Sequence, residues 1–219
     1  MAITLSTGTT AAIASTYDSA ATFTSASNAS ECVLSYVSDP GYIVGDILEV
    51  SSGWGLLNDR VVRVGAIAGA GPYTVTLEDV DTSSTSDYPA GTGGGTTREI
   101  TAWTGISQIK GISTSGGDQN FTDVSTIEDV TEREIPTTKS AVKVELEMYD
   151  DAALAHYAVV VAAADTSTKT AMRLAFKNGS FLYANAYWSI QKVPSITKNE
   201  PLMGKISASY AAEAIRYAS

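Results

Sequence analysis

Residues 118–149 read DQNFTDVSTIEDVTEREIPTTKSAVKVELEMY, a long acidic segment that runs straight into an alternating strand. Over 118–139 six acids (Asp118, Asp123, Glu128, Asp129, Glu132, Glu134) stand against Arg133 and Lys139, a net of −4. Apolar residues nonetheless recur: Phe121, Val124, Ile127, Val130 and Ile135, the last followed by Pro136. A segment that only has to be solvated does not need them. Connections longer than about 12–15 residues are also uncommon in compact domains without a functional reason. The segment 118–140 therefore reads as an arm built to lie on another copy of the chain. The strand that follows is the clearest in the sequence. Val144, Leu146 and Met148 face one way, and Lys143, Glu145 and Glu147 the other. One side packs on a core, and the other meets water or a charged lumen.

Working outward, the pattern predicts strands over 33–37, 47–50, 60–67, 72–80, 100–109, 169–176, 180–190 and 205–212. Asn178-Gly179 marks a hairpin turn between two of them. Asp150 and Asp151 mark a helix start, with Leu154, Tyr157, Ala158, Val161 and Ala162 as its expected core face. Residues 1–30 are Ser/Thr/Ala-rich and read as an N-terminal arm with one strand at most. The 219 residues are expected to form a single domain that is mostly β, sandwich- or barrel-like, with one flanking helix.

Composition removes several function classes. The chain is 44% hydrophobic and 17% charged, with a formal net charge of −10. No basic block exists to displace counterions, so a protein that grips DNA is excluded. Cys32 and His156 are the only residues of their types, too few for a zinc site, and the expectation is no metal and no cofactor. No lysine or arginine precedes Arg60, so the N-terminus does not read as a signal peptide. The most apolar run, 152–164, is short of the ~20 residues a membrane span needs. A Gly-x-Ser-x-Gly elbow is absent, and the glycine run 91–95 lacks the Lys-Ser/Thr of a phosphate loop, which leaves linker flexibility as its reading. Glu78, Asp79 and Asp81 lack the glycine and closing glutamate of a calcium loop. Trp54, Trp103 and Trp188 read as core or interface anchors. The chain is expected not to be an enzyme.

The block QNFTDVSTIEDVTEREIPTTK (119–139), with the strand and Asp150-Asp151 after it, resembles the tail tube proteins of long, non-contractile-tailed bacteriophages. So do the GDILEV, SGW and LNDRVVRV pieces of 45–64. The two blocks cover less than a quarter of the chain. The resemblance implies six copies in a ring whose strands join into an inner β-barrel. Stacked rings would form a hollow tube that conducts genomic DNA from the virion to the host. It implies as partners further copies of the chain, together with the terminator, tip and tape measure proteins of the tail. DNA would pass without specific binding and no membrane would be involved. The protein would be made in the host cytoplasm and end in the virion tail. In that frame Phe121, Val124, Ile127, Val130, Ile135 and Pro136 are the expected inter-ring contacts, and Glu145 and Glu147 the expected lumen-facing acids. Two alternatives are a tube protein of a related contractile injection or secretion system and a β-sandwich binding module. The module would call for a signal peptide and a clustered aromatic face, and neither is evident.

Overall fold

The computed structural model describes residues 7–69 and 71–218, so residues 1–6 of the expected N-terminal arm lie outside it. In chain order the strands are β1 (Thr10–Tyr17), β2 (Ala21–Ala26), β3 (Val33–Tyr36), β4 (Ile47–Ser52), β5 (Val61–Ala68), β6 (Tyr73–Leu77), β7 (Gly95–Ile106), β8 (Ile109–Ser115), β9 (Gln119–Asp123), β10 (Glu134–Lys139) and β11 (Lys143–Tyr149). After the single described helix, α1 (Ala155–Thr166), come β12 (Thr170–Ala175), β13 (Phe181–Ile190), β14 (Met203–Tyr210) and β15 (Ile215–Tyr217). The expectation of a mostly β chain with one flanking helix is met.

The strands make two lobes that share β7. In the first, antiparallel pairing runs β2-β3-β6-β5-β4-β7, and β7 pairs back onto β2 to close the circuit. Its interior is filled by Phe23, Leu34, Tyr36, Leu48, Val50, Trp54, Val62, Val64, Val75 and Leu77, all at most 2% exposed. In the second lobe the order is β7-β1-β12-β13-β14-β11-β8. Here α1 packs over β13, β7 and β1 on a core that includes Ile13, Leu146, Met172, Trp188 and Ile206. Thus β1 and β2 belong to the sheets, and residues 10–26 are not a free arm. Their small residues hide the pattern: Ala11, Ala12, Ile13 and Ala14 are all buried, with no polar alternation to read.

Two further expectations are corrected. The buried face of α1 is His156, Val160 and Ala163, while Ala158 and Ala162 are exposed, and its N-cap is Leu154. The helix is apolar nearly all round, so its sequence does not mark a face and the sheet beneath decides. Asp151 instead accepts the Ala153 N–H at 2.9 Å, building the turn before the helix. The glycine run is not a slack linker either. A Cβ on Gly93 would sit 2.7 Å from the buried Trp54 ring, so the run is packed against the first lobe.

A polar seam joins the lobes. Glu49, 9% exposed, accepts from Arg98 Nε and from Asn185 Nδ2 at 2.7 and 2.8 Å. The Arg98 guanidinium lies 4.1 Å from the Tyr17 ring centre. The Tyr217 hydroxyl accepts the Arg63 N–H at 2.8 Å and donates to the Glu78 carbonyl at 3.2 Å, while Arg63 and Glu78 form an ion pair through their side chains. A buried carboxylate is tolerated where its lone pairs are taken up in this way.

Candidate assembly surfaces

The strands β8 and β11 pair from Lys143↔Ser115 to Met148↔Ile109. Beyond Ser115 and Lys143 the same two chain directions continue as β9 and β10, which pair only with each other. The root is held by Gly117 N–H to the Ser140 carbonyl (3.1 Å) and Ser140 N–H to the Asp118 carbonyl (2.9 Å). Gly116 stands there with φ +81°, and a Cβ on it would lie 2.0 Å from the Ala141 carbonyl oxygen. Only glycine fits that turn without moving backbone. The segment 118–140 is thus a β-hairpin that projects from the second lobe.

Its tip builds its own shape. Asp123 accepts from the Ser125 N–H (2.8 Å) and Oγ–H (2.6 Å), and Asp129 accepts from the Thr126 N–H (2.9 Å). The Ser125 hydroxyl accepts the Arg133 N–H (2.8 Å), and Val124 N–H reaches the Arg133 carbonyl (2.9 Å). Ser125 holds the Asp123 carboxyl below its ordinary range, first through the side-chain hydrogen bond and then through the backbone one. These two acids, which in sequence look like solvated charge, act as turn builders. The apolar residues are left outside. Ile127 and Val130 are fully exposed at 106% and 103%, and Phe121, Val124 and Ile135 are exposed as well. Phe121 sits opposite Pro136 across the ladder.

The outward face of β11 is equally explicit. Lys143, Glu145 and Glu147 share it with Ser113 and Ser115 of β8 and with Lys205, Ser207 and Ser209 of β14. Glu145 lies between two ammonium groups, 2.6 Å from Lys205 and 3.2 Å from Lys143. Lys205 first, then Lys143, keeps its carboxyl below the usual range. Two acids and two lysines leave this wall near neutral, and Glu147 makes no ion pair within the hydrogen-bonding limit among the described residues. The free side of β8 is the open end of the thirteen-stranded sheet, and beneath it runs an apolar cleft of about 1020 Å³ lined in part by Ile109, Ile112, Val144 and Leu182.

Two exposed apolar patches escaped the sequence reading. One is the 191–202 loop, with Val193 at 72% and Ile196 at 76% exposed, and Leu202 beside them. The other is Val37, Ile43 and Val44 on the first lobe. The usable signal was the one that marked the arm: apolar residues spaced through a turn-rich, proline-containing connection.

Among the described residues no catalytic arrangement emerges. His156 is 3% exposed at the start of α1, where burial pushes its imidazole pKa down. No cluster of potential metal ligands occurs among the described residues.

Comparison with known proteins gives one broad match. A family model described as phage tail tube protein matches residues 52–219. No curated protein sequence matches the chain. Among solved structures, the tube-terminating cap of the anti-feeding prophage is similar at 16% identity and a TM-score of 0.35, covering 49% of this chain and 79% of that one. That likeness spans about half of this chain.

Proposed function

The chain belongs to the phage tail tube protein family, a structural component of the virion tail, and on that premise we propose that its copies form six-membered rings stacked into a hollow tube that carries genomic DNA to the host during ejection. The observation that carries this reading is the hairpin arm. It has an internally hydrogen-bonded shape, lies outside every core and ends in two fully exposed aliphatic side chains. A monomer has no use for such an element, and its preorganised tip lowers the entropic cost of docking. The free edge of β8 supports the companion step within a ring, where a neighbour's strand would cover an otherwise exposed row of N–H and C=O groups.

Head-to-tail stacking needs a contact whose two sides differ, since identical rings repeat by translation and rotation. The arm supplies one side through Phe121, Val124, Ile127, Val130, Ile135 and Pro136. The polar face of β11 becomes the lumen wall. There Glu145 is already neutralised, so Glu147 and the surrounding hydroxyls face the duplex. A near-neutral wall in a chain of net charge −10 offers phosphates nothing to hold, and the DNA stays hydrated and slides. Partners would be further copies of the chain and the terminator, tip and tape measure proteins, with no cofactor.

Deletion of residues 122–134 tests the stacking role. The expected product is a folded subunit with wild-type circular dichroism that no longer polymerises. Long tubes formed by the deletion variant would remove the arm from the assembly.

A further inference from the structure

We propose that the 191–202 loop is the seat that receives the arm tip of a copy in the next ring. This rests on the stacking reading above and names the unassigned half of its contact. The strand β11 acts as the ruler. The arm leaves the sheet at the Lys143 end, beyond the Lys143↔Ser115 pair. The loop sits at the other end, where Tyr149 pairs with Met203, Asp150 N–H reaches the Leu202 carbonyl at 3.0 Å and Gln191 N–H reaches the Lys205 carbonyl at 2.9 Å. Seven residues of strand separate them, about 20 Å. Copies displaced along this ribbon bring the tip of one toward the loop of the next.

The chemistry of the two ends matches. The loop exposes Val193, Ile196 and Leu202 and is pinned by Ser195 pairing with Met203 (2.8 Å). The tip offers Ile127 and Val130. Within 191–202 stand Lys192 and Lys198 against Glu200, while the arm carries six acids against two cations. Lys192 also holds Asp165 at 2.7 Å, and Lys198 makes no ion pair within 4.0 Å among the described residues. Asp150 and Asp151 also stand at this end, Asp151 accepting the Ala153 N–H. The rival patch at Val37, Ile43 and Val44 lies on the first lobe, off the β11 ribbon, and its Asp39 and Asp46 accept the Gly41 and Ile43 N–H groups. Its place at the far end of the β11 ribbon, together with its exposed apolar side chains, selects the 191–202 loop.

Cysteine pairing on assembled protein tests the contact. The one natural thiol, Cys32, is fully buried and stays silent. The variants are Ile127→Cys with Ile196→Cys, and as a second register Val130→Cys with Val193→Cys, each oxidised mildly after assembly and run on a non-reducing gel. The expected result is a ladder extending beyond dimers for at least one double variant and none for the single variants. A head-to-tail contact propagates along the tube, whereas a self-paired one stops at dimers. Dimers from Ile127→Cys alone would show arm meeting arm and overturn the proposal. Wild-type-like tubes from both double variants with no ladder would overturn this seat and leave stacking intact. A wild-type protein that never stacks would overturn the stacking reading, and this one with it.

Discussion

Glu145 and Glu147 sit two residues apart on one face, and their surroundings give them different jobs. Lys205 and Lys143 fix Glu145 in place, so its reversal would gather three ammonium groups and perturb the sheet itself. Glu147 is the cleaner probe of the lumen. Glu147→Lys is expected to leave tube assembly unchanged and to slow DNA release, measured as the ejection rate of virions carrying the variant tail; an unchanged rate would take the β11 face out of the lumen. The tyrosines set a second residue-level expectation. Burial pushes the Tyr17 and Tyr210 hydroxyls up to about 12, while an unfolded tyrosine ionises near 10. A hydroxyl whose proton is held more tightly in the folded state contributes stability that is full below pH ~10 and is lost as pH rises toward 12. Urea midpoints of the subunit should therefore fall steadily above pH ~10, and Tyr210→Phe should flatten the decline; a midpoint constant from pH 9 to 12 would contradict these burials.

At the scale of elements, the arm depends on its root. Gly116→Ala places a Cβ 2.0 Å from the Ala141 carbonyl oxygen at a φ of +81°, so the root must shift and the hairpin must re-aim. The expected outcome is a subunit whose core keeps its thermal midpoint within a few degrees while sedimentation shows polymerisation strongly reduced; unimpaired tubes would mean that the aim of the hairpin is not critical. Legibility in the sequence followed the same physics. The faces of β11 could be read because Val144, Leu146 and Met148 alternate strictly with charged residues, and the β12–β13 turn because Asn178-Gly179 permits few other conformations. The buried face of α1 was not legible, because a helix apolar on all sides takes its orientation from β13, β7 and β1. β5 was legible as a strand over 60–67, but the burial of both its sides was not: Val61 faces the seam while Val62 and Val64 face the first core. The arm's apolar residues were legible. Its hairpin form was not, since the tip is built by Asp123, Ser125 and Asp129 bonding to backbone nearby, a pattern that spacing alone does not display.

For the whole molecule, two packed lobes share β7, with an arm at one end of a ribbon, an apolar loop at the other and an open sheet edge at β8. The closing pairing of the first lobe joins β2 to β7, strands more than seventy residues apart, and no local signal announces it. A net charge of −10 makes free copies of the chain repel one another. The most direct measurement is electron microscopy of the purified protein at high concentration, alone and with tail-tip components. Hollow tubes of uniform width, built from six-fold rings, are the predicted result. A protein that stays strictly monomeric under both conditions would contradict the account.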